Sequence, residues 1–469
     1  MRYTYTWVGP GGTASWNEPG NWDIRAVPNH PKADVVFPNG RTRNLDISGI
    51  ALSLGSLSSA TQYGHTFNLV SSDDTPLALG AAGSPAFLRT RENNHADFTF
   101  SMPVEIAGET FITQNDPHYP FRFNKSVYGA GPLITHCVKV KFAAPIGVTN
   151  VVSVPLASHP EILHLSTFGV QGPGAVLLEN HTATLSLAAG YDDGLVGLGG
   201  TLVWRGSVIT NINPNGVSSL FFKDNNTLRI EKGSILTYPS FYDTHMWSSG
   251  NTLLVTDPGS QFHITLMMDE TIRSNNTIRV RDGAYMSNRD RYYNPFTVRG
   301  VNHLIQVSSD LPGRPAVLEF FANSWNNAVL LEGENATLSL QPGGIIKCGG
   351  ILTLGSSKGG ATGNRVSLEG GELLCDALNV YAGNALATQL TASLQPLIAK
   401  TSVTFEAGAK IIVTNPGNVT GKFALVKAPE ITAPLNDPAF LDAPPQYKLT
   451  LEGKPGEQTL FLTCSALDI

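Results

Sequence analysis

The sequence predicts an all-β fold: a single right-handed parallel β-helix of coils about 25 residues long, with a Trp-rich N-terminal cap and a C-terminal β cap. Three observations carry this. A short phrase restarts at a fixed period, alternating apolar and polar residues fill strand-length intervals, and helical periodicity is nearly absent.

The phrase begins at Asn226 (NTLRIEKG) and returns at Asn251 (NTLLVTDPG), Asn276 (NTIRVRDG), Asn302 (NHLIQV) and Asn327 (NAVLLEG), at intervals of 25, 25, 26 and 25. Each restart is an Asn, then a short strand, usually then a turn glycine. Weaker copies extend both ways, from GPGAVLLENHTATLSLAAG upstream to GNRVSLEGGELLCDALNVYAG and TSVTFEAGAKIIVT downstream. Only residues 384–400 hold a helix-like pattern, and Pro396 shortens it. A unit this small cannot bury its apolar face alone, so it must stack on its neighbours, with coils ~4.8 Å apart. Asn226, Asn251, Asn276, Asn302 and Asn327 then form a column in which each amide reaches the next, as in stacked β assemblies. Counting 16 residues from each Asn gives a second column of Tyr242, Met267, Tyr292 and Leu318, read as wall or core.

Both ends of such a stack need covers, because open strand edges template further pairing. Residues 1–40 supply one, with Trp7, Trp16 and Trp22 among Gly and Pro turns and a first strand at Ala33 to Phe37. The coils fill 41–400. Residues 401–469 hold the last coils and the second cap, including a hairpin at Lys454-Pro-Gly. The W-x-G…W…N-W…P…D-x-V-x-F opening, the N-T-L-x-V-x-x-G coils and the G-x-F-A-L-V…Y-x-L-x-L-x-G…L-x-L close resemble secreted bacterial β-helix proteins. Those proteins are similar to autotransporter passenger domains and their repeat-containing relatives. The resemblance is structural and brings no catalytic signature.

Composition narrows the partners. Charged residues are 14% of the 469, well below the ~25% of ordinary domains, and net charge is −6 with no Lys/Arg run, which argues against nucleic acid. No apolar stretch is long enough to span a bilayer. The N-terminal MRYTYTW lacks a signal-peptide core, and the expectation is a secreted or cell-surface chain whose signal peptide has been removed. Cys348 and Cys375 lie 27 residues apart, so they are expected to stack as buried thiols or as a disulfide. No cofactor or metal is expected: SSDD (71–74) and YDDG (191–194) read as turns, since neither has the ligand spacing of a calcium loop. GSSKGG (355–360) departs from a phosphate loop and has no following helix.

Function in such folds sits on side loops. The flank 238–293 gathers Tyr238, Asp243, His245 and Trp247, then His263, Asp269 and Glu270, then Arg289, Asp290, Arg291 and Tyr293. Aromatic faces suit sugar C–H groups, which makes Tyr238, Trp247 and Tyr293 binding candidates. The bland alternative is a solvated flank of paired charges. Asp243, His245, Asp269, Glu270, Arg289, Arg291 and Tyr293 are the catalytic candidates, as a carboxylate pair for glycoside hydrolysis or as base and cation for a uronate lyase. The first expectation is a non-catalytic, adhesin-like surface protein contacting glycan or itself. The alternatives are a polysaccharide lyase or glycosidase on this flank, and a filament subunit stacking end to end.

Overall fold

The computed structural model describes residues 2–38, 43–60, 65–90, 96–114, 121–131, 133–137, 140–142, 146–148, 151–153, 168–170, 175–179, 182–185, 201–206, 208–211, 219–221, 224–237, 244–246, 248–264, 266–268, 273–288, 295–391, 394–414 and 420–465. Parallel sheets stack as a β-solenoid of about 12 turns. Among the described residues one 3-10 turn, Pro19–Asn21, is the sole helical element. The helix-like stretch after Asn384 is strand instead: Ala385–Gln389 and Leu397–Phe405 both pair in parallel with neighbours. Pairing on both sides overrides local helix propensity. The chain divides into two compact units, Met1–Ser218 with Phe222–Leu228, and Ser219–Phe221 with Arg229–Ile469.

In the first unit, inward-facing Phe67, Phe98 and Phe121 are register partners on successive coils. Their rings stack with centroids 5.1 and 5.2 Å apart, and Phe100 stacks on Phe123 at 4.8 Å. These distances match the strand spacing, so one Phe per coil yields a continuous aromatic column, each contact adding about 0.5–1.5 kcal/mol beyond burial. The N-terminal cap is a cluster of three buried Trp. Trp22 meets Trp7 edge-on at 5.0 Å and Trp16 at 4.8 Å. Each indole N–H donates to a carbonyl, of Gly9, Pro28 and Trp16 respectively for Trp7, Trp16 and Trp22, so the cap buries no unpaired indole. The SSDD stretch is a turn, as expected: Asp73 accepts from Ser71 Oγ and from the backbone N–H groups of Thr75 and Gly49.

The second unit has three faces. The first face stacks Thr252–Val255, Thr277–Arg281, Leu304–Ser308, Thr337–Leu340, Arg365–Leu368, Ala385–Gln389 and Lys410–Thr414. Entry to each of these strands repeats one device. A residue with positive φ comes first: Gly250, Asn275, Asn302, Asn335, Gly363, Gly383 and Gly408, at φ 57–84°. Gly and Asn tolerate this left-handed conformation best. The next residue is buried: Asn251, Asn276, His303, Ala336, Asn364, Asn384 and Ala409. Where this residue is Asn276, His303, Asn364 or Asn384, its side chain receives the backbone N–H of the coil before. Asn251 N–H donates to Asn276 Oδ1 at 2.9 Å, Asn276 N–H to His303 Nδ1 at 3.2 Å, Ala336 N–H to Asn364 Oδ1 at 3.0 Å and Asn364 N–H to Asn384 Oδ1 at 3.0 Å. Asn364 Nδ2 also donates to Asn384 Oδ1 at 2.9 Å.

The ladder is therefore real, but two of its expected members are not in it. Asn302 is the exposed left-handed residue, and His303 holds the ladder position. Asn327 begins the strand Asn327–Leu331 on the third face, because Leu304 pairs with Thr337, 33 residues on. The Asn at 327 kept the sequence period alive by coincidence. The column at offset 16 also fails. Leu318 is register partner of Met286 and Ile346 on the second face, whereas Met267 pairs with His245 on the third.

The second face stacks Gln261–Ile264, Tyr285–Asn288 and Ala316–Phe320 with the leading parts of the long strands Gly344–Leu354, Glu372–Val380 and Leu397–Phe405. Those long strands turn a corner at a register shift and run on into the third face. Cys348 and Cys375 are register partners there, buried free thiols. The stack ends by switching direction: Glu457–Cys464 pairs antiparallel with Gly421–Ala428 and with Tyr447–Lys454, turning at Pro455-Gly456.

Two expected outcomes follow from the ladder. Replacing Asn364 by Ala leaves the buried Ala336 N–H without its acceptor and should cost about 1–3 kcal/mol. A denaturant titration reads this, and the Ala336 amide should exchange faster. His303 supplies pH dependence. Its Nδ1 accepts a hydrogen bond, and burial lowers its pKa below the ordinary 6.5. Protonation would turn Nδ1 into a donor facing a donor. The unfolded chain takes up this proton first, so the contribution is full above about pH 6.5 and is lost as pH falls below it. His303→Asn should keep an acceptor at this ladder position and flatten this acid limb in melting temperature against pH.

Candidate functional site

One corner of the second unit differs from the others. Where the chain passes from the second face to the third, the connections are residues 238–243 (YPSFYD), Thr265, residues 289–295 (RDRYYNP) and 321–326 (FANSWN). In the next coils the same corner shrinks to Gly349-Gly350, Asp376 and Lys400-Thr401.

Tyr238, Asp243, Trp247, Asp269, Glu270, Arg289, Asp290, Arg291 and Tyr293 lie outside the described residues. For His245 the structure describes the backbone: it belongs to the strand Thr244–Met246 and pairs with Met267. Chain order still separates the candidates. The 238–243 and 289–295 segments lead into third-face strands at this corner, whereas Trp247, Asp269 and Glu270 follow the paired strands Thr244–Met246 and Leu266–Met267.

The described member of this corner is the Phe321–Asn326 connection. Asn323 is buried, and its Oδ1 accepts the backbone N–H groups of Trp325 and Asn327 at 3.0 and 2.9 Å. Asn326 takes φ 61°, and its carbonyl receives Ile351 N–H at 2.7 Å. A connection pegged at both ends displays Trp325, 60% exposed, with Phe321 at 36%. An exposed Trp on rigid backbone is the informative kind of apolar exposure. Gly350 is what lets this connection lie so close: a Cβ there would sit 2.5 Å from the Asn326 carbonyl oxygen and 2.8 Å from Ala322 Cβ. Asp376, two coils from Trp325, pairs at 2.8 Å with Lys400 of the following coil, and this hydrogen bond raises the Lys400 pKa.

Beside this corner, the outer side of the second face carries a polar cluster. Gln261, Tyr285, Val317 and Ile345 form one outward register row, and His263, Ser287, Glu319 and Lys347 the next. His263 Nδ1 hydrogen-bonds Ser287 Oγ at 2.8 Å and its Nε2 meets Gln261 Oε1 at 3.2 Å. Gln261 accepts, so Nε2 carries the proton and the ring orientation is fixed from both sides. Tyr285 Oη donates to Glu319 Oε2, and the Tyr285 and His263 ring centroids are 5.6 Å apart. Ser287 is fully buried, while His263, Tyr285 and Glu319 are half-buried and Lys347 is exposed.

Sequence reasoning named His263 and missed Gln261, Tyr285, Ser287, Glu319, Phe321 and Trp325. A usable signal existed. With His303 as the ladder residue, FANSWN falls at the corner of YPSFYD and RDRYYNP. No group of three or more His, Cys, Asp or Glu among the described residues is placed to hold a metal ion. No family model matches the chain, and no curated protein matches it.

Gly350→Ala should push the Phe321–Asn326 connection outward. Acrylamide quenching of tryptophan fluorescence should change, with far-UV circular dichroism preserved; an unchanged quenching curve would show that the contact with Gly350 does not set the Trp325 position.

Proposed function

We propose that this chain is a secreted or cell-surface β-solenoid that contacts glycan through the corner between the second and third faces of its second unit. The single observation carrying this reading is Trp325, 60% exposed on a connection fixed by the buried Asn323. A flat aromatic face carried on a fixed backbone receives the C–H side of a sugar ring at reduced entropic cost. Hydroxyls need polar groups held in place nearby, and His263, fixed by the buried Ser287, and Glu319 supply them. The amide- and hydroxyl-rich composition, with 14% charge, agrees with a neutral contact surface. The likeness of the caps and coils to secreted bacterial β-helix proteins supports the location.

End-to-end filament growth has less support. The last strand of the sheet, Tyr447–Lys454, exposes Lys448, Glu452 and Lys454, and charge on an outer strand discourages strand addition.

The test is a panel of soluble and insoluble polysaccharides, read by affinity electrophoresis and pull-down. At least one should retard the protein, and Trp325→Ala should weaken that binding about tenfold, equivalent to about 1.4 kcal/mol. Retention of full affinity by Trp325→Ala, or no retardation across the panel, sinks this reading.

A further inference from the structure

The outer cluster of the second face holds more than a binding surface needs. Tyr285 Oη and the Glu319 carboxylate share a hydrogen bond, placing a proton donor and a proton acceptor in one pair. Both are half-buried on rigid strands, where fixed geometry favours proton transfer over solvation. Directly across from Glu319 in the next coil stands Lys347, at the ~4.8 Å separation of neighbouring strands. Behind Tyr285 lies the His263 ring, itself tied to Ser287 and Gln261. A base, an acid and a cation thus share one outward face beside the Trp325 corner.

We propose that this cluster catalyses β-elimination on a polysaccharide containing 4-linked hexuronate, with Glu319 as base, Tyr285 as acid and Lys347 opposite the sugar carboxylate. The inference rests on the glycan-contact reading of the same corner. Glu319 takes the C5 proton, and the C5–H electron pair becomes the C4=C5 double bond. The C4–O bond breaks with its electrons on the leaving oxygen, which takes the proton of Tyr285 Oη. The proton on Glu319 then passes back along the shared hydrogen bond to the phenolate. The net change moves one proton from C5 to the leaving oxygen, with no oxidant, reductant or water consumed. The ammonium of Lys347 offsets the charge that builds on the carboxylate as C5 loses its proton. A carboxylate suffices as a carbon base where that charge is stabilised, as in triosephosphate isomerase.

The experiment incubates the full chain with alginate, polygalacturonate and glucuronan and follows the ultraviolet absorbance of the new conjugated alkene. Absorbance should rise with at least one polymer. Tyr285→Phe and Glu319→Gln should each lower the initial rate by about 10²–10⁴-fold, the usual contribution of a positioned acid or base, with far-UV circular dichroism unchanged. Polymer binding without alkene overturns this inference and leaves the glycan-contact reading standing; absence of both binding and alkene overturns both. New reducing ends without alkene would mean hydrolysis and overturn the elimination. Undiminished alkene formation by both variants would rule out Glu319 as the base and Tyr285 as the acid.

Discussion

A buried backbone N–H at each coil entry needs an acceptor, and the second unit depends on how that need is met. The chain turns there through a left-handed residue, which aims the following N–H along the stack rather than into a strand ladder. Water does not reach it, and an unmade bond at such a site is expensive. The acceptor comes from the coil above, as the Oδ1 of Asn276, Asn364 or Asn384 or the Nδ1 of His303. Four of these coils are thereby registered on a neighbour by one side chain, in addition to the sheet hydrogen bonds.

That arrangement constrains only a pair of residues per coil. Elsewhere the path can lengthen or shorten without disturbing the register, which is why successive ladder positions lie 25, 27, 33, 28 and 20 residues apart. The extra length sits at a single corner in the case of 321–326 and between the first and second faces in the case of Ser309–Pro315. Chemistry can vary at those places while Thr277, Leu304 and Thr337 stay in line. The corner proposed for glycan contact lies on this variable side, while Tyr285 and Glu319 stand on the register-held strands beside it.

The architecture was legible because its signals are local. Asn followed by an alternating strand announces a coil, three Trp among Gly and Pro announce a cap, and neither requires knowledge of what lies opposite. The register was legible only where coil lengths were equal. Between Asn276 and Thr337 the coils lengthen, His303 replaces Asn in the ladder and a decoy Asn arrives at 327, so a count by period went astray. The candidate site suffered from the same error. Its described polar members, Tyr285, Ser287 and Glu319, come from strands rather than loops, and nothing in a strand of alternating residues marks which outward side chains share a neighbourhood. Trp325 stands two residues before the decoy Asn327, and a count from that Asn gives no sign that it sits at a corner.

The stacked thiols carry a further consequence. Burial pushes Cys375 up to about 12 and Cys348 well above its ordinary value, so neither is a thiolate at neutral pH while the coils are closed. Alkylating reagents attack the thiolate, which appears only when the core admits solvent. The pair is thus a chemical clock for breathing of this part of the solenoid. Its rate of labelling would measure how often adjacent coils part, without a probe having to be introduced.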